Sequence, residues 1–143
     1  MTNVRSIFNS AKAYVERYVG KPLDLHFMYG WVGEFPEKRD YAYCSRIDHD
    51  TALIVVAPKM KLEGADRAKA VIRHEIGHAL DFLLPRREVD SIFLSRGFDP
   101  ISTPERRADK LAEIIWDHPI YYDDQLVQSL SKGTKPRPKH LGL

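Results

Sequence analysis

The segment Val71-Ile72-Arg73-His74-Glu75-Ile76-Gly77-His78-Ala79-Leu80 carries the residues best suited to chemistry. On a helix, His74 and His78 are one turn apart and project from the same face. Two imidazoles so placed can share one metal ion. Glu75 lies about 100° round the helix from His74, so its carboxylate can reach a water on the open side of the metal. The pattern joins two zinc-type ligands to a general base, the core of a hydrolytic zinc site. Its surroundings are apolar: Ala68, Ile72, Ile76, Ala79 and Leu83 form one helical stripe. The histidines are therefore expected on a mostly buried helix, where a His-Glu-His cluster without a metal would be costly to satisfy.

A catalytic zinc needs a third protein ligand and keeps one open position. No histidine follows His78 within the next dozen residues, which departs from the H-E-x-x-H-x-x-G-x-x-H spacing of the metzincins. The next candidate is Glu105-Arg106-Arg107-Ala108-Asp109. Thr103 suits an N-cap and Pro104 the first helical position. A helix is predicted from there to Trp116, with Ala108, Leu111, Ala112 and Ile115 as its apolar stripe. Glu105 can ligate the metal. Asp109, one turn on, can accept a hydrogen bond from the outer ring nitrogen of a ligating histidine and fix its orientation. Small Ala108 would let the two helices approach closely. Glu113, further along the same face, is the reserve ligand.

H-E-x-x-H followed by E-x-x-A-D on a second helix resembles the gluzincin metallopeptidases. The short length is similar to the compact minigluzincin core. The pairing also resembles the ImmA/IrrE-type peptidases and, in His-Glu-x-Gly-His-Ala-Leu-Asp, the catalytic domain of anthrax lethal factor. The likeness spans roughly residues 50–116. It implies His74, His78 and Glu105 as the ligands of one Zn2+ per chain, Glu75 as the base, and a metalloendopeptidase acting on a polypeptide substrate. Relatives supply a further donor to the developing oxyanion, usually Tyr or His; His118, Tyr121 and Tyr122 are candidates here, with Tyr41 and Tyr43 from the sheet. In such enzymes the substrate extends along the strand before the active helix, which here contains Leu53, Ile54 and Val55.

These residues need a scaffold. At 143 residues the chain is long enough for one domain with a real core. Val4, Ile7, Phe8, Ala11, Tyr14, Val15 and Tyr18 predict a first helix, stopped by Gly20 and Pro22. Residues 23–31 alternate, with Leu23, Leu25, Phe27, Tyr29 and Trp31 facing one way, and predict a half-buried strand. Gly33 to Asp40 reads as a polar loop. Tyr41–Ile47 and Thr51–Ala57 predict two more strands joined by a turn at Asp48-His49-Asp50. Leu53-Ile54-Val55-Val56 is continuously apolar, as in a strand covered on both faces. The metal helix is expected over 65–84, a short helix before Gly97, and a last helix over 120–131. The expected fold is α+β: a zincin-like domain over 1–131, with an antiparallel or mixed sheet, and a basic, disordered tail over 132–143.

Composition narrows the setting. The single cysteine, Cys44, excludes an internal disulfide framework and a Cys-type zinc site; its strand position predicts a buried thiol. The N-terminus lacks a signal-peptide run and no segment has the length of a membrane span, so a cytoplasmic protein with no membrane partner is expected. The net charge of +2 is too small to argue for nucleic-acid binding. Two other roles remain open: a zinc-holding interaction or regulatory protein without catalysis, and a DNA-associated protein using the tail with Arg86-Arg87 and Arg106-Arg107.

Overall fold

A computed structural model describes residues 1–37, 41–100, 103–118 and 134–135. Among these, helices α1 (Val4–Val19), α2 (Ala65–Leu83), α3 (Arg86–Ser95) and α4 (Pro104–Trp116) join strands β1 (Leu25–Tyr29), β2 (Ala42–Asp48), β3 (Thr51–Val56) and the two-residue β4 (Thr134–Lys135). The architecture is α+β. No helix among the described residues is long and apolar enough to cross a membrane.

The helix boundaries follow local chemistry. Asn3 caps α1 by accepting a hydrogen bond from the Ser6 amide, and Gly20 ends it in the left-handed conformation at φ 79°. Pro104 opens α4 at the position where a missing N–H costs nothing, and Asp117 closes it at φ 52°. Thr103 occupies the N-cap of α4, but its side chain makes no capping hydrogen bond. The short helix expected before Gly97 is α3.

The sheet order is β1-β3-β2-β4. β1 runs parallel to β3, β2 antiparallel to β3, and β4 parallel to β2 at Cys44 and Ser45. The sheet is therefore mixed, with β3 at its centre. That position explains its unbroken apolar run: Ala52, Ile54 and Val56 join the main core under the helices, while Leu53 and Val55 meet Phe35, Tyr43 and Ala57 on the opposite face. Burying a side chain such as Ile54 stabilises the fold by roughly 1.5–3 kcal/mol relative to exposure.

Two expectations change here. The alternation over 23–31 yields a strand of residues 25–29 only: the Gly30 amide still donates to the Val56 carbonyl, but Trp31 starts a tight turn over Val32–Glu34. Trp31 is 66% exposed rather than packed with Phe27. The substrate strand is also misplaced. Leu53, Ile54 and Val55 have their backbone edges committed to β1 on one side and β2 on the other, so no extended peptide can add there. The predicted helix over 120–131 and the tail, apart from Thr134–Lys135, lie outside the described residues.

Candidate metal centre

The site is built where α2 and α4 cross. The predicted stripes face this seam and the core: Ala68, Ile72, Ile76 and Ala79 of α2 are buried, as are Ala108, Leu111, Ala112 and Ile115 of α4. The closest approach is at Gly77. A Cβ there would collide with the Ala108 carbonyl oxygen, so only glycine lets the two backbones come this near. Ala108 alone is not what permits the approach; Gly77, inside the motif itself, is required as well. Close backbones bring the side chains on either side of them into contact.

His74, Glu75 and His78 are all buried, and their ligand atoms lie within 4.8 Å of one another. The two imidazoles meet edge to face, with ring centres 4.7 Å apart. Glu105 reaches across from α4. Its carboxylate oxygens lie 3.4 Å from His74 Nε2 and 3.3 Å from His78 Nε2. His74 Nδ1 is 2.6 Å from Asp109 Oδ1, where the ring N–H donates to the carboxylate. That bond leaves Nε2 turned towards Glu105. Nε2 is buried and outside hydrogen-bonding geometry with any partner. A buried polar atom left in that state is expensive in a finished core and calls for a ligand.

The distances test whether a metal fits. Tetrahedral zinc with bonds near 2.0–2.1 Å separates its ligand atoms by about 3.4 Å. The spacings of Glu105 from His74 and from His78 match that value. The donors are two imidazole nitrogens and a carboxylate, a set that suits zinc and other divalent metals binding nitrogen and oxygen. The buried His74-Glu75-His78 group, completed by Glu105, could thus hold a metal ion.

The electrostatics agree with this grouping. Burial lowers the pKa of His74, but the Asp109 hydrogen bond, Glu105 and the charge of Glu75 outweigh it and raise the value to about 10. Burial raises that of Glu105, but His74 and His78 bring it down to about 2. In the metal-free protein the cluster is therefore an ion network that favours a protonated His74 among ionised carboxylates. A metal must displace the His74 proton to enter. Cys44, on β2, is fully buried as expected, and burial together with the nearby Glu75 charge pushes its thiol well above the ordinary range.

Other proposed site residues lie elsewhere. Glu113 pairs with Lys110 at 3.0 Å, away from the histidines, so it does not serve as the reserve ligand. His118 shares a groove with Asp66, Lys69 and Arg73. His118 follows the end of α4 whereas Glu105 stands at its start, which puts it about 20 Å along the helix axis from that ligand, away from an oxyanion at the cluster. Tyr41 donates to Glu63 and Tyr43 to Glu34, both away from the cluster. Tyr121 and Tyr122 lie outside the described residues.

The open alternative of a DNA-binding role for Arg106-Arg107 loses one of its residues. Arg107 is 2% exposed, not free for nucleic acid. Its Nε donates to Asp81 at 2.7 Å and its Nη2 to Asp90 at 3.0 Å, with the guanidinium over the Phe93 ring at 5.1 Å. It ties α4 to α2 and α3. A sequence signal existed: Arg107 neighbours Ala108 on the buried side of the predicted stripe. No protein-family model, curated protein or solved structure matches the chain.

Proposed function

We propose that the chain is a zinc-dependent endopeptidase with a zincin-like fold and a gluzincin-type ligand set of His74, His78 and Glu105. The observation that carries this reading is the pair of 3.3–3.4 Å spacings from Glu105 to both histidines, with His74 Nε2 lacking a hydrogen bond in the core. When bound, zinc would supply Lewis-acid polarisation of a carbonyl and a water acidified towards neutral pH. The chain's own groups do the rest. Asp109 holds His74 by its Nδ1–H, which fixes the tautomer and aims Nε2. Glu75, buried beside the ligands, takes the proton of the attacking water and passes it to the leaving amine.

A metal-holding protein without hydrolysis would use the same ligands. What favours that second reading is that the described candidates for an oxyanion donor, His118, Tyr41 and Tyr43, all lie away from the cluster. Glu75→Gln separates the two. The variant keeps the volume and should hold zinc like the parent. Peptide-library cleavage should fall by at least ~10²–10⁴-fold. Undiminished cleavage would assign hydrolysis to another site, and loss of zinc would make Glu75 a ligand rather than the base.

A further inference from the structure

A cavity of about 520 Å³ lies between α1, the first half of α2 and the end of α4, apart from the metal cluster. Its described lining divides by chemistry. Arg17 of α1 and Lys69 and Arg73 of α2 supply three cations, and no described lining residue is acidic. Ser6 and Ser10, one turn apart on α1, add two hydroxyls. Tyr14 and Trp116 form an aromatic wall, stacked with centres 5.6 Å apart and planes 19° from parallel. The Arg73 guanidinium lies over the indole of Trp116 at 5.4 Å.

Neither Arg17 nor Lys69 forms an ion pair with any described residue, in contrast to Lys21, Arg96 and Lys110, which each pair with a carboxylate. A solvated basic surface would not need a concave site or an aromatic wall. Like charges converging on a hollow raise its positive potential and favour an anion. The hydroxyls add donors of phosphate-binding type, and the Tyr14 ring, exposed and backed by Trp116, offers a planar group a place to extend the stack. The volume falls within the range of small-molecule sites.

We infer that this cavity binds a small organic phosphate with a planar ring, of mononucleotide size, its phosphate held among Arg17, Lys69 and Arg73 and its ring set against Tyr14, the outer member of the Tyr14–Trp116 stack. The site does not depend on metal at His74 and His78. The test uses the full chain carrying Trp31→Phe, which leaves Trp116 as the remaining tryptophan. Adenosine monophosphate is titrated while heat and Trp116 emission are followed, with inorganic phosphate as the comparison. The expected result is saturable binding that changes Trp116 emission and is at least about tenfold tighter than for phosphate, since one stacking contact contributes of that order. Adding Arg17→Glu and Lys69→Glu, both at exposed positions, should weaken it by about tenfold per cation or more. No saturation at millimolar nucleotide, equal affinity for inorganic phosphate, or unchanged affinity in the charge-reversed variant would each overturn the assignment. Circular dichroism confirms that the variants fold.

Discussion

Two buried polar clusters lie on the α2–α4 seam, and they differ in how they are finished. In the Arg107 cluster the guanidinium donates to Asp81 and Asp90 and rests on Phe93. Each partner is one the fold itself provides. In the His74 cluster, Asp109 completes one side of the ring, while Nε2 faces Glu105 and His78 without a hydrogen bond. Burial and charge are common to both. The difference teaches that a closed ion network fastens helices together, whereas one left with an inward-facing ring nitrogen outside any hydrogen bond is arranged for something brought from outside.

The largest effect should come from breaking the closed cluster. Arg107→Ala leaves Asp81 and Asp90 facing a lost cation and should cost about 3–5 kcal/mol of stability, read by urea unfolding. Zinc affinity of the fraction still folded should change little. A destabilisation below about 1 kcal/mol would mean that the cluster does not clamp the helices. Asp109→Ala probes the open cluster instead. It should weaken zinc binding by roughly 10–100-fold while costing the metal-free fold less than Arg107→Ala does. Unchanged zinc affinity would show that Asp109 does not orient His74.

The smallest effect is a pH slope. His74 has a folded pKa of about 10 against an ordinary value of 6.5, so the folded state holds more protons between those values. The stability this contributes is fully present below 6.5 and is lost as pH rises through 10. Between pH 7 and 8 the metal-free protein should lose at most about 1.4 kcal/mol. The slope should vanish in His74→Gln and on adding zinc. Competition between metal and proton thus reaches well above the ordinary histidine range. A metal-free protein whose stability is flat from pH 7 to 9 would contradict the ion network.

Much of the site could be read from spacing because its determinants are local. One turn separates His74 from His78 and Glu105 from Asp109, and each apolar stripe fixes which side of its helix is buried. Most of what could not be read depends on residues distant in the chain. The apolar run at Leu53–Val56 announces a covered strand. Only the parallel pairing with β1 reveals that β3 is central and unable to take a substrate. Arg107 reads as a surface charge until Asp81 and Asp90 are brought to it from two other helices. Trp31 fits the strand alternation, yet its amide donates to Glu34 Oε1 in a turn that carries it out to solvent. Gly77 looks like a spacer until Ala108 lies against it.

The most direct test of the central claim is a zinc titration of metal-depleted protein by calorimetry, repeated on His78→Ala and Glu105→Ala. One zinc should bind per chain, with release of the His74 proton, and each substitution should weaken binding by far more than Asp109→Ala does. Zinc that fails to bind the folded parent chain, or that binds His78→Ala and Glu105→Ala as tightly as the parent, would contradict the account.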